Sequence, residues 1–408
     1  MVDGPWLTLL GVGDNGLDSL TPTARNLFDA AKTIIAPERV LANIECGEKE
    51  VIPWTFGVQP TIKFLLERRG QPVTILATGD PMQFGIGATM MRHIEPSEMR
   101  VIPTPSAFSL AAARLGWALQ EVASISLHGR SVHGLSAHLS PGRRIIALTS
   151  TGRTIGESAR ILVERGYGAS MMTVLEHMGG AEERISQMAA REVLADKKEY
   201  AAFNTLAVEC VADAEAEILA PVPGLPDAAF EHDGQLTKQE VRAITLAHLR
   251  PYPGALLWDI GAGNGSVAIE WMRGASSAHA IAIESDGERA ARIAANALAL
   301  GTPTLEIIEG KAPTALAGLA RPDAVFIGGG ISDPLVFDEA WSALKPGGRL
   351  VANSITLEGE ARLLHLHSVH GGELIRMQVS RAEPVGRFSG WKPLMPVTLW
   401  SVRKRASI

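Results

Sequence analysis

Two cysteines in 408 residues, Cys46 and Cys210, are too few and too far apart for a thiolate metal site or a disulfide framework. A reducing compartment is therefore expected, with no bound metal. Basic residues show no surplus either: 38 Lys and Arg stand against 44 Asp and Glu, a net charge of -6. That balance argues against non-specific binding to nucleic acid or acidic membranes. No uninterrupted apolar run reaches the roughly 18 residues of a membrane span, and no basic region precedes an apolar stretch at the N-terminus. Short-period repeats and low-complexity tracts are missing too. What remains is a chain 46% apolar and 20% charged, the composition of a globular, cytoplasmic protein.

At about 150 residues per domain, this length suggests two or three domains. The clearest seam is Leu219-Ala220-Pro221-Val222-Pro223-Gly224-Leu225-Pro226-Asp227. Its three prolines withhold backbone donors and favour an extended connector. The expected division is a domain over 1–215, a linker over 216–232 and a second domain over 233–408.

Both halves open with an apolar strand running into a glycine turn. In the first, Trp6 to Leu10 leads to Gly11-Val12-Gly13-Asp14-Asn15-Gly16, and Thr21 with Pro22 opens a helix. Val73 to Ala77 is a second strand, broken at Thr78-Gly79-Asp80-Pro81. The second half alternates more cleanly. Strands are expected at 254–260, 279–283, 305–309, 324–327 and 349–353, with helices at 267–273 and 286–300. This is the rhythm of a doubly wound α/β sheet, whose ligand loops lie at the strand C-termini.

The sharpest signal is Asp259-Ile260-Gly261-Ala262-Gly263-Asn264-Gly265-Ser266. Glycines there allow a tight turn and let a ligand approach the backbone. Glu284, 19 residues beyond Gly265, closes the next strand with a carboxylate suited to two ribose hydroxyls. The spacing departs from the G-x-G-x-x-G of dinucleotide sites, so an S-adenosylmethionine site is the leading reading. A nicotinamide or flavin site and a purely structural turn are the alternatives.

The second half resembles the family of precorrin methyltransferases that act at C15 with decarboxylation. The resemblance is carried by Thr237 to Arg242, Trp258 to Val267, Gly310-Lys311-Ala312-Pro313, Phe326 to Gly330 and Leu344 to Val351. It implies a Rossmann-like methyltransferase domain with cofactor contacts from Thr237, Gly261, Ala262, Gly263, Asn264, Gly265, Glu284 and Ala312. The first half resembles the tetrapyrrole methylase family, particularly its cobalamin-pathway C5 branch. Gly11-Val12-Gly13, Gly79 to Gly85, Pro103 to Ala107, Ser126 to Arg130 and Glu176-His177-Met178-Gly179-Gly180 carry that likeness. Here the implied cofactor contacts are Gly11, Gly13, Gly79, Asp80, Pro81, Phe84, Ser106, Ala107 and Met178. Two loops depart from the family pattern: Gly13-Asp14-Asn15-Gly16 follows the first strand, and Thr104 stands where a glycine is usual.

Together the resemblances imply a bifunctional enzyme of cobalamin biosynthesis with two S-adenosylmethionine sites, one per half. It would take precorrin-6Y to precorrin-8X by methylation at C5 and C15 with loss of the C12 acetate carboxyl. The expected partner is a small-molecule tetrapyrrole, with no nucleic acid and no membrane, and the chain is expected to be a homo-oligomer. A cobalt-containing or RNA substrate, or one half acting as a non-catalytic module, are the rivals. No residue declares itself an acid or base. Asp80, before Pro81, is expected to shape its loop. His128 is a candidate substrate contact. So are Lys238 and Arg242, four apart on one helix face, together with Arg387, Arg381 and Lys392, because cations suit the substrate's carboxylates. His365, His367 and His370 are expected in a solvated segment, and Arg403-Lys404-Arg405 in a solvated tail.

Overall fold

The computed structural model describes residues 4–54, 58–196 and 198–405. The chain forms two compact units, Met1–Val132 with Ser140–Glu217 and His133–Leu139 with Ile218–Ile408.

The first unit holds two five-stranded sheets. Strands β1 (Leu7–Val12), β2 (Thr33–Ala36), β3 (Glu50–Pro53), β4 (Val73–Thr78) and β5 (Met99–Ile102) form an all-parallel sheet in the order β3-β2-β4-β1-β5. Central β1 is apolar along nearly its whole length because helices and loops cover both its faces. Thr21 caps the following helix, Pro22–Ala30, by accepting from Ala24 N at 3.3 Å. The second sheet combines β6 (Val122–Ser126), β7 (Arg144–Leu148), β8 (Met171–Glu176), β9 (Arg184–Ala189) and β10 (Asn204–Glu209), ordered β6-β7-β10-β8-β9. Only its β6–β7 pair is parallel.

The second unit is built on one seven-stranded sheet, with β11 (Leu256–Ile260), β12 (His279–Glu284), β13 (Glu306–Glu309), β14 (Ala324–Ile327), β15 (Arg349–Ser354) and β16 (Glu373–Met377). A two-stranded ribbon, β17 (Ser380–Val385) and β18 (Phe388–Pro393), precedes the last strand, β19 (Val397–Arg403). The order is β13-β12-β11-β14-β15-β19-β16, parallel except around β19. Because the strand order reverses at β11 and β14, a crevice opens beyond their C-terminal ends.

Three expectations are corrected here. The 216–232 segment is no free connector. Leu219, Leu225 and Phe230 are buried in the second unit's core, and Gly224 N and Leu225 N donate to the Glu270 carboxylate at 2.5 and 3.1 Å. The prolines withhold their own donors, but the amides between them found a buried acceptor. The histidine cluster lies on a helix, Leu357–His370, where His365 is exposed as expected but His370 packs against Phe337 and Trp341 with ring centres 5.2 and 5.1 Å away. Burial lowers its pKa. Finally, Arg403 belongs to β19, and Lys404 Nζ donates to Ser342 O and Leu344 O at 3.2 and 2.8 Å. That ammonium closes the C-terminal end of helix Pro334–Ala343, where free carbonyls favour a cation.

Among the described residues, no helix is long and apolar enough to cross a membrane. No group of three His, Cys, Asp or Glu among them is placed to hold a metal ion.

Candidate functional site

The crevice of the second unit is a cavity of about 930 Å³. Thr237, Gly261, Ala262, Gly263, Glu284 and Ala312 line it, all singled out from the sequence. Gly261 and Gly263 have φ of +69° and +62°, where a side chain is strained, and a Cβ on either meets backbone atoms of Gly329 or Gln235 within 3 Å. Bare backbone is therefore what the loop presents to a ligand. Glu284 is buried and already accepts from Gly263 N at 2.8 Å, Ser285 N at 2.9 Å and Asp286 N at 3.0 Å. A carboxylate offers about four lone-pair sites, so one remains for a ligand hydroxyl rather than two.

Asn264 and Gly265 stand behind the loop instead of on the cavity wall. Asn264 Nδ2 donates to Asp233 Oδ1 at 3.1 Å and Gln235 O at 2.7 Å, pinning the loop from below. Gly265, at φ +81°, leaves room for Ile293. Asp233 in turn binds Arg289 at 2.8 Å, and that hydrogen bond holds its carboxyl far below the usual range. Beneath the loop, Asp259 is fully buried. Its Oδ2 accepts from Ala268 N at 3.0 Å, while Oδ1 has no partner. Burial pushes its pKa up to about 7.

Lys238 lines the cavity, as does Lys311, which the sequence placed only within a motif. Arg242 does not, and this overturns its expected substrate role. It is completely buried, bonded to Glu270, to the carbonyls of Thr237 and Leu225, and to Asp227 at 3.3 Å. Helical spacing put Lys238 and Arg242 together, but Lys238 is the N-cap residue, so only Arg242 is carried inward by the helix Gln239–Leu249. Arg381 is likewise committed to Asp227 and Glu240, at 3.0 and 2.7 Å. Lys392 pairs with Glu383 at 2.8 Å. Arg387 lies exposed on the ribbon's turn, its guanidinium 5.0 Å from the Phe388 ring centre.

In the first unit, Gly13, Gly79, Ala107 and Met178 share a pocket with Asp14, Thr78, Pro105, His177 and Phe203. It encloses about 40 Å³, and Thr78 and Pro105 at its rim are exposed. Gly11 lies behind this wall, where a Cβ would collide with Gly79 O and Thr104 N. Asp80, Pro81, Phe84 and Ser106 flank the pocket's loops without lining it. Asp80 Oδ1 accepts from Met82 N at 2.8 Å and so shapes its turn, while Ser106 caps helix Ala107–Leu115. Phe84 adopts φ +55°, uncommon for an aromatic residue, against Phe108. His128 Nδ1 lies 3.0 Å from Thr149 O, outside this pocket.

Asp14 and His177 escaped sequence reasoning as a pair. His177 Nδ1 is 3.1 Å from Asp14 Oδ2, across 163 residues of chain. The motif containing His177 was visible, but nothing local announced its partner.

The second cavity fits a nucleoside-bearing methyl donor: it has a bare glycine wall, a carboxylate with one free lone-pair position, and a volume typical of small-molecule sites. The first pocket, at about 40 Å³, is too small to enclose one.

Comparison with known proteins agrees with this division. Residues 7–194 match the model of tetrapyrrole (corrin/porphyrin) methylases, and residues 228–404 match the precorrin methyltransferase domain. A precorrin-6Y C(5,15)-methyltransferase [decarboxylating] from Sinorhizobium sp is 48% identical over 98% of this chain and 97% of its own length. One from Mycobacterium tuberculosis is 37% identical over 98% of this chain and 100% of its own. The solved C-terminal domain of the Rhodobacter capsulatus precorrin-6Y C5,15-methyltransferase is 46% identical, covering 46% of this chain and 100% of that domain, with a TM-score of 0.44. Two full-length relatives of this similarity, matched from end to end, place the chain in the family of decarboxylating precorrin-6Y C5,15-methyltransferases.

Proposed function

We propose that the chain methylates a precorrin-6Y-type tetrapyrrole at C5 in its first unit and at C15 in its second, the second reaction releasing the C12 acetate carboxyl as carbon dioxide. The methyl donor of this methyltransferase family is S-adenosylmethionine, and one donor site in each unit is part of the proposal. The observation that carries the reading is the 930 Å³ crevice at the switch point of the second sheet, walled by glycine backbone and edged by Lys238 and Lys311.

When bound, the donor supplies a methyl group already activated on a sulfonium. The protein's task is then orientation and solvent exclusion. Gly261 and Gly263 allow close approach of a ligand, and Glu284 offers its free lone pair to a hydroxyl. Lys238 and Lys311 are the cavity cations available to pair with the ring's peripheral carboxylates. Ile260, Ile283, Val336 and Val397 supply apolar wall, where the C12 acetate's carboxylate loses water and leaves as carbon dioxide, its C–C pair passing to the methylene and the conjugated ring until a proton from solvent makes the methylene a methyl group.

The test is mass spectrometry of the products formed by the full chain from the metal-free ring and from its cobalt form. Two added methyl groups and one lost carbon dioxide support the reading. Methylation without loss of carbon dioxide, or modification of RNA instead, overturns it.

A further inference from the structure

Methylating a meso carbon leaves a proton to be disposed of. Such a carbon carries one hydrogen between two rings. Its π electrons form the new C–C bond while the C–S pair stays on sulfur. The ring is then cationic until the C–H pair returns to the conjugated system and the proton departs. In the first unit, one imidazole stands at the pocket where this happens.

We infer that His177 is the catalytic base that takes the C5 proton and that Asp14 is its positioning residue, a conclusion that rests on the C5 reading of the first unit. Nδ1 of His177 donates to Asp14 Oδ2 at 3.1 Å, which leaves Nε2 as the free acceptor. This is the arrangement of a carboxylate orienting a base. The Asp14 side chain is 8% exposed and cannot turn away, because Arg39 Nη1 holds its other oxygen at 2.7 Å. Arg39 is itself fixed by Thr78 Oγ1 at 2.9 Å and lies 3.5 Å above the Phe203 ring. Phe203 also meets the imidazole edge-on, with centroids 5.7 Å apart.

The backbone is shaped to the same end. His177 adopts φ +50°, a left-handed conformation uncommon for a residue with a Cβ. Gly180, bonded back to His177 O at 3.0 Å, leaves the space Asp14 fills: a Cβ there would lie 2.5 Å from Asp14 Oδ2. His177 is one-quarter exposed, and Glu182 Oε2, largely exposed, lies 3.9 Å from Nε2. The proton accepted by Nε2 thus has a carboxylate and water beside it to leave by.

The test uses the full chain, with hydrogen or deuterium at C5 of the ring. His177→Asn and His177→Gly both tolerate the left-handed backbone. Each is expected to lower kcat for C5 methylation by about 10²–10³-fold, the usual worth of a general base. Carbon dioxide release at the second unit should stay as in the parent. Deuterium should slow these variants more than the parent, and added imidazole should restore His177→Gly. Asp14→Asn should lower kcat in the parent but cost nothing in the His177→Gly background. A His177→Asn protein that methylates C5 at the parent rate, without an isotope effect, overturns the inference. So does Asp14→Asn with an undiminished cost when His177 is gone. A parent chain that never methylates C5 brings down the underlying reading instead, a result distinguishable from the other two.

Discussion

The two units set a glycine turn in different architectures. Each ends an apolar strand in a glycine turn, yet the first encloses about 40 Å³ there and the second about 930 Å³. In the first unit the glycines serve close packing, with Gly11 pressed against the loops of Gly79 and Thr104. In the second, Gly261 and Gly263 line the cavity, yet a Cβ on either would likewise meet protein backbone, at Gly329 N and Gln235 O, so a glycine turn is no guide to the space beside it. Glycine at a strand end therefore reports a close approach of backbone, without saying whether protein or ligand approaches.

The strongest way to break this comparison is to fill one wall. Gly263→Val should abolish one donor site completely, because the Cβ would lie 2.9 Å from Gln235 O at φ +62°. Calorimetry with S-adenosylhomocysteine should then find one site where two are proposed for the parent. Loss of both, or of neither, contradicts separate sites.

Next in size is Arg242→Ala. Removing one partner of a buried pair leaves Glu270 uncompensated and costs about 3–5 kcal/mol. Urea unfolding should show that loss in the second unit alone, with the first unit's transition unmoved. Weakened substrate binding in a fully stable variant would restore the surface-cation role.

A fragment beginning at Ile218 should fold, and one beginning at Pro226 should be weaker by at least about 3 kcal/mol. It forfeits Leu219, Leu225 and the amide donors of Glu270, at about 1.5–3 kcal/mol for each buried leucine. Equal stability of the two fragments would return 216–232 to the role of a free connector.

The smallest expected effect concerns pH, and the two units should differ in sign. Asp259 has its pKa raised by burial to about 7, from 3.8 for the free group. Its stabilisation is fully present below pH 3.8 and is lost as pH rises through 7. In the first unit, Arg114 hydrogen-bonded to Glu183 lowers that carboxyl to about 2 from 4.5. Its contribution is present above pH 4.5 and is lost as pH falls through 2. Hydrogen exchange followed by mass spectrometry reads each unit separately, and Asp259→Asn should flatten only the second unit's slope between pH 4 and 7.

The parallel cores were legible because their strands are near-continuous apolar runs ending in glycine. Asp259 to Ser266 and Glu284 could be placed at the C-terminal ends of β11 and β12 from pattern alone. The ribbon β17–β18 escaped, since Pro384, Gly386, Gly390 and Pro393 read as breakers. Arg242 was misread for another reason. Helical spacing fixes which residues share a face, but Glu270, 28 residues on, decides which face turns inward. The Asp14–His177 pair is the extreme case, as only the folded chain brings it together.

The position of β19 has a consequence for synthesis on the ribosome. It lies between β15 and β16, and β16 has no other neighbour in the sheet. While residues 397–403 are still inside the exit tunnel, β15 presents an open edge and β16 has nothing to pair with. Such edges invite pairing with other chains. The first unit can be complete by then, because domains generally fold as they emerge. The first unit passes through the same interval, because its last strand, β10, enters between β7 and β8, so each nascent unit carries an open edge until its last strand arrives.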